Sequence, residues 1–241
     1  MLYQTELVTF DSRVSAPEGI VYSTSPRRAE GSDDHSYFVK GPEPEIAFSE
    51  IAGCLFAAEA GVLVPEVAVC SFQDENYCGS RKVVDSLRDV SPWLGSPHRV
   101  RNFGDLYAII VVDAWLANDD RNMGNVLGRP VRGSEIELVM IDFEKSRTLR
   151  PNPIIESGMV EPRRLWPTDE LGQALRQRKP LQAPQLIVDR IGRVSRERCA
   201  EIIAEVVENF GQVAWSENSI EAVSRRAARI AEIAGEVWRQ N

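Results

Sequence analysis

The sequence predicts an α+β protein of two lobes: a small antiparallel β lobe carrying one helix, then a larger, mainly helical lobe. Three observations carry this. Short strand-like runs bounded by turn residues fill the first 86 positions, broken once by a strong helical pattern at 44–60. Phe103 to Leu116 is almost wholly apolar with no proline, so it predicts a helix buried on most sides. From Thr168 onward, apolar residues recur only at helical spacing.

The chain has 241 residues, which fits one domain or two closely packed lobes. Hydrophobic residues make up 43% and charged residues 27%, the balance of a soluble globular protein. A formal net charge of -8 gives no strong nucleic-acid signal. Cys54, Cys70, Cys78 and Cys199 have no metal-type spacing; Cys54 and Cys199 sit in apolar helical patterns as small hydrophobes. Free thiols and no signal peptide predict a cytoplasmic protein, and no apolar run predicts a membrane span. His35 and His98 share no motif.

The small lobe is expected to be an antiparallel meander. Met1–Phe10 reads as a strand, Ser12–Gly19 as a turn, Ile20–Ser23 as the returning strand, Ser25–Asp34 as a loop, and Ser36–Lys40 as a strand. The Ser12–Gly19 turn either cradles phosphates with its backbone N–H groups or is an ordinary hairpin loop, since it lacks a Gly-x-Gly-x-x-Gly pattern. Pro42 to Gly61 predicts a helix with prolines in its first turn and glycine at its stop. Glu50 stands beside its apolar stripe, placed to meet Lys40; alone, each reads equally as a solvated charge. A strand ending near Cys70, a turn at Asp74–Asn76 and a strand from Tyr77 to Val84 follow, and Val84–Leu87 reads as the connector between lobes.

After the buried helix comes Asn118-Asp119-Asp120-Arg121-Asn122-Met123-Gly124-Asn125. Four residues separate Asp120 from Asn125, the Asp-x-x-x-x-Asn spacing of a phosphoryl-transfer loop. An apolar strand then ends in Ile141-Asp142-Phe143, as a metal-binding Asp before Phe does. Magnesium takes hard oxygen ligands, which Asn125 and Asp142 supply. Asp119 and Asp120 both stand where a base is needed, and the spacing favours Asp120. Arg121 either neutralises nearby charge or binds an acidic substrate group, and Gly124 is expected to let the loop fold back. Ser146 and Thr148 lie where activation segments begin. Four helices are expected in the tail, near 168–178, 183–194, from Ser195, and from a cap at Ser219, with Arg225–Arg229 a solvated helix face.

On Tyr37-Phe38-Val39-Lys40, Ser49-Glu50-Ile51-Ala52-Gly53, the Asn118–Asn125 stretch and Ile141-Asp142-Phe143, the chain resembles the HipA-like kinases, a bacterial family of the protein-kinase and phosphatidylinositol-kinase-like superfamily. The resemblance spans about the first 150 residues and the short chain is similar to the single-domain members. It implies a two-lobed kinase-like domain, with an N-lobe at 1–86 and a C-lobe at 87–241. It implies ATP and Mg2+ as cofactors and transfer of the γ-phosphate to a hydroxyl, as a serine/threonine protein kinase. A small-molecule or lipid-headgroup kinase, or a nucleotide-binding scaffold, remains the alternative. Lys40 is implied on the phosphates, Glu50 as its partner, Asp120 as the base, and Asn125 and Asp142 on magnesium; Ser15, Gly19, Val84 and Asp85 are the further candidate nucleotide contacts. The partners it implies are a protein or small-molecule hydroxyl substrate and an antitoxin-like or regulatory protein.

Overall fold

The structure, a computed structural model, describes residues 2–13, 26–83, 96–153, 165–211 and 213–241. Strands β1 (Tyr3–Arg13), β2 (Arg27–Gly31), β3 (Ser36–Lys40), β4 (Val67–Phe72) and β5 (Glu75–Arg81) form the small sheet, with α1 (Pro44–Glu59) inserted after β3.

The strands close into a barrel in the order β1-β2-β3-β5-β4. The expected antiparallel lobe is corrected at one seam: β1 pairs with β4 in parallel, Tyr3 opposite Ala68 through Glu6 opposite Ser71. Because the helical crossover α1 separates β3 from β4, β4 can return beside β1 running the same way, and closure leaves no unpaired edge. The polar stretch expected as a loop contains β2. Its Ala29 and Gly31 are buried, while Arg28 is exposed and Arg27 and Glu30 half-buried, so a strand with one apolar face hides in a polar composition. The expected returning strand at Ile20–Ser23, the phosphate-loop candidates Ser15 and Gly19, and Val84, Asp85 and the connector Val84–Leu87 all lie outside the described residues. The β4–β5 hairpin turns through Gln73 and Asp74, both at positive φ, the backbone that a two-residue hairpin loop requires.

Helix α2 (Asp105–Leu116) is buried at every position from Leu106 to Leu116. It is surrounded by α1 and by three of the later helices, α4 (Gln185–Gly192), α6 (Ser216–Ala228) and α7 (Ile230–Gln240). Its left-handed C-cap, Ala117 at φ 54°, stops the helix and releases the polar stretch toward the barrel. The hairpin β6 (Val126–Pro130) and β7 (Ile136–Met140) follows, with Val126 opposite Met140. An antiparallel hairpin puts the start of one strand beside the end of the other, so Asn125 and Asp142 emerge at the same end. The remaining helices are α3 (Glu170–Gln177) and α5 (Arg196–Phe210).

The helical tail differs from expectation in its caps. Asp169, not Thr168, caps α3, accepting from the Gly172 N–H. Helix α5 starts where expected, with Ser195 as its cap, accepting from the Arg198 N–H. Ser219 caps nothing: it is buried within α6, and the expected last helix is two, α6 and α7, broken at Arg229 so that both can lay an apolar face on α2. Arg226 is no part of a solvated face, being 1% exposed. Its guanidinium donates to the carbonyls of Ala114 and Trp115, the unsatisfied last turn of α2. Among the described residues, no helix is long and apolar enough to cross a membrane.

Candidate active site

Lys40 ends β3 and points beneath α1. Its Nζ lies 3.2 Å from Glu50 Oε2, 2.8 Å from Asp142 Oδ1 and 3.1 Å from Glu144 Oε2. Glu50 reaches it because α1 begins four residues after Lys40 and packs its Ala47, Phe48 and Ile51 face inward, carrying the neighbouring carboxylate with it. Glu50 Oε2 also accepts from the Phe143 N–H at 2.9 Å, which ties α1 to the segment after β7. The approach is close: a Cβ on Gly53 would lie 2.3 Å from Phe143 Cβ, so only glycine fits there.

Burial alone would discharge Lys40, but the carboxylates of Asp142, Glu50 and Glu144 outweigh it and hold the ammonium protonated well above its ordinary range. Burial pushes the Glu50 carboxyl up, against the opposing pull of Lys40. Asp142 sits at φ 67°, a left-handed conformation that Asp tolerates better than most residues and that turns its side chain back to Lys40.

The polar loop is pinned from below by Arg121. Its guanidinium holds Asp113 of α2 in a two-pronged pair, Nε to Oδ2 at 2.8 Å and an Nη to Oδ1 at 3.0 Å. It also donates to the carbonyls of Asn125 and Ile141 and lies over the Phe143 ring. Arg121 is therefore a neutralising pin; its head is committed and does not bind a substrate group. Asn118 is fully buried and donates to Asp113 as well.

The two adjacent aspartates are set apart. Asp119 pairs with Arg147 at 2.6 Å. Asp120 is half-buried, and burial and then the Asp142 carboxylate push its carboxyl above the ordinary range. Asn125 is nearly buried, and its amide donates to the Asp120 carbonyl at 2.9 Å. The turn at Met123–Asn125 is held by Asn122 accepting from the Gly124 N–H and by Asp169 accepting from the Met123 N–H. Gly124 is not at positive φ, so the loop folds back through these side chains rather than through glycine's freedom. Ser146 and Thr148 are both 0% exposed, and Thr148 donates to the Leu116 carbonyl, so neither is placed to receive a phosphate.

Of the expected residues, the structure brings Lys40, Glu50 and Asp142 into one cluster and sets Asp120 and Asn125 on the loop beside it. Glu144, Asp113 and Asp169 were not foreseen. A buried Asp in the middle of an apolar helix was the one visible hint for Asp113. One oxygen from each of Glu50, Asp142 and Glu144 lies within 4.8 Å of the others. Three hard oxygen donors against one ammonium suit a divalent cation such as magnesium, and Asn125 adds an amide oxygen at the same end of the hairpin.

No family model matches the chain. No curated protein matches it either. Among solved structures, the proinflammatory kinase CtkA of Helicobacter pylori is similar over 100% of this chain and 99% of its own, with a TM-score of 0.54 and 14% identity. HipA of Shewanella oneidensis MR-1, in a complex with HipB and operator DNA, aligns with a TM-score of 0.49 and 11% identity over 91% of this chain and 65% of its own. Rio2 kinase of Chaetomium thermophilum, an ADP/Mg2+-phosphoaspartate complex, aligns with a TM-score of 0.49 and 18% identity over 92% of this chain and 71% of its own. The end-to-end match to CtkA shows that this chain has a kinase-like fold.

Proposed function

We propose that the chain is an ATP- and magnesium-dependent phosphotransferase, a HipA-like serine/threonine protein kinase acting on a hydroxyl. The observation that carries the reading is Lys40 held within hydrogen-bond distance of Glu50 and Asp142, across 102 residues of chain, beside the loop that bears Asp120 and Asn125. Phosphoryl transfer asks mainly for positioning and charge. Lys40 would hold the nucleotide phosphates and Glu50 would hold Lys40. Asn125 and Asp142 would hold magnesium, which when bound spreads the charge that develops on the transferred group. Asp120 would orient the acceptor hydroxyl and take its proton; its raised pKa suits a group that must accept one. Leu63, Val83 and Ile141, half-buried over Leu127 and Val139, offer an apolar face fit for a purine ring. The N-lobe then spans 1–86 and the C-lobe 87–241, with nucleotide between them.

The test measures ATP binding with and without magnesium, and phosphate transfer to the protein itself and to lysate proteins. Wild type should bind and transfer. Lys40→Ala should lose binding, and Asp120→Ala should keep binding while losing roughly 10²–10⁴-fold in transfer. Wild-type protein that neither binds nor turns over ATP overturns the kinase reading. Transfer untouched in Asp120→Ala overturns the assignment of the base. Label appearing only on a small molecule of the lysate would favour the small-molecule alternative.

A further inference from the structure

The turn Met123–Asn125 has three N–H groups to satisfy. Asn122 takes two of them: its side chain accepts from the Gly124 N–H at 2.8 Å and its carbonyl from the Asn125 N–H at 3.1 Å. The Met123 N–H donates instead to Asp169 Oδ2 at 2.6 Å, 46 residues further along the chain. The other oxygen of that carboxylate, Oδ1, accepts from the Gly172 N–H at 3.3 Å and caps α3. One carboxylate thus joins the polar loop to the start of α3, with one oxygen for each.

A tether positions only if its far end is fixed. Asp169 stands three residues after Trp166, which is 1% exposed and packs edge-on against Trp238 with ring centres 5.3 Å apart. The Trp166 Nε1–H donates to the Gly172 carbonyl at 3.4 Å. A Cβ on Gly172 would lie 1.7 Å from the Pro167 carbonyl oxygen, so only glycine lets the chain close around Asp169. At the near end, Met123 stands two residues before Asn125. The Asn125 amide donates to the Asp120 carbonyl at 2.9 Å, which leaves its Oδ1 to face a cation. The Asn125 carbonyl is already held by Arg121 and by the Ile141 N–H, so the hold on Met123 decides how the turn, and that oxygen with it, is aimed.

We propose that Asp169 is a positioning residue for the metal site: through the Met123 N–H it holds the loop so that Asn125 Oδ1 meets the magnesium that arrives with the nucleotide. The inference rests on the reading of Asn125 as a magnesium ligand given above. Asp169 acts through the loop and not on the metal itself. Such outer partners of a ligand commonly carry about 10–100-fold of metal affinity. A carboxylate suits the task because two N–H groups on different elements must be accepted at once, and a short side chain with one oxygen leaves one of them bare.

The experiment measures ADP binding by calorimetry over a series of magnesium concentrations, for wild type, Asp169→Ser and Asp169→Thr, with each thermal transition recorded without ligand. Serine and threonine cap helices as aspartate does, but with one oxygen on a shorter side chain, so both variants keep the bond to Gly172 and give up Met123. Asp169→Thr serves if Asp169→Ser fails to fold. The magnesium concentration for half-maximal ADP binding should rise about tenfold in both, with thermal transitions near that of wild type. Excess magnesium should restore binding, and phosphate transfer with it. In an Asn125→Ala background, Asp169→Ser should move the half-maximal concentration no further; additive shifts would show that Asp169 does not act through Asn125 and overturn the proposal. A purely structural role would lower the thermal transition and reduce binding at every magnesium concentration without moving the half-maximal point, and that outcome overturns it too. Magnesium-dependent ADP binding in wild type, with an unmoved half-maximal concentration in the variants or a loss that excess magnesium does not restore, overturns this inference alone. Absence of magnesium-dependent ADP binding in wild type overturns the nucleotide reading and this inference with it.

Discussion

Arg121 and Asp113 meet at 2.8 Å with side chains 1% and 0% exposed, and this pair joins the buried helix α2 to the polar loop it supports. The same guanidinium reaches the carbonyls of Asn125 and Ile141, so one side chain sets the spacing between the loop and the end of β7. Burying two charges is costly, and the pair is tolerable because each is met by several hydrogen bonds. Breaking it one-sidedly leaves a naked charge. Arg121→Met and Asp113→Leu should each cost about 3–5 kcal/mol in urea unfolding, and the double replacement should cost much less than the sum. Additive losses would mean that the two residues act independently.

Arg226 supports the other side of the same helix. It is pushed down to about 10 by burial and by the Arg229 charge, yet stays cationic at neutral pH and satisfies the last carbonyls of α2. Arg226→Met keeps much of the volume and removes the donors. Thermal and urea unfolding should show a loss of about 2–4 kcal/mol, the cost of leaving buried acceptors unpaired. A loss below about 0.5 kcal/mol, the usual size for an exposed site, would contradict the capping role.

Gly53 is the contact point between α1 and Phe143. In a helix interior Gly→Ala ordinarily stabilises, by roughly 1 kcal/mol. Here the added methyl meets Phe143 Cβ in the segment bearing Asp142 and Glu144, and the sign should reverse. Gly53→Ala should lower stability by about 1–3 kcal/mol, in the range for overpacked cores. It should also weaken nucleotide binding, because Glu50 and Phe143 move apart together. A stabilised variant would show that the contact relaxes freely.

The barrel should have an acid limb of its own. Burial works to raise the Asp33 carboxyl, but hydrogen bonds from Tyr37 and from the His35 N–H, with others from Tyr3 and Thr5, hold it below its ordinary 3.8. A depressed folded-state pKa means that this stabilisation is fully present above the unfolded value and is lost as pH falls through the folded one. Stability should therefore decline below about pH 4 in part through Asp33. Tyr37→Phe, which removes a 2.6 Å donor, should make that decline shallower. An acid limb with unchanged slope in Tyr37→Phe would assign the decline to other carboxylates.

Much of the frame was readable because it is local. The apolar run of α2 and the prolines and period of α1 are properties of neighbouring residues, and each helix appears in place. The strand β2 was missed because its one buried face is an alanine and a glycine among charges, too small a signal for a periodicity argument. Ser219 was misread for the opposite reason: a serine ahead of an apolar period has the look of a cap, but the helix had already begun at Ser216.

By itself, the sequence determined most of the elements, β2 and the division of α6 from α7 excepted, and the chain positions of Lys40, Glu50, Asp120, Asn125 and Asp142, because helical and strand periods and short loop spacings are set by covalent geometry. Only the tertiary structure decided which charges meet. That Lys40 takes Glu144 as a third partner, that Asp119 is drawn off to Arg147 and that Arg121 turns inward to Asp113 follow from packing barrel, α1 and β7 together. Coulomb attraction and desolvation depend on distance in space and on exclusion of water, and neither is written in the spacing along the chain.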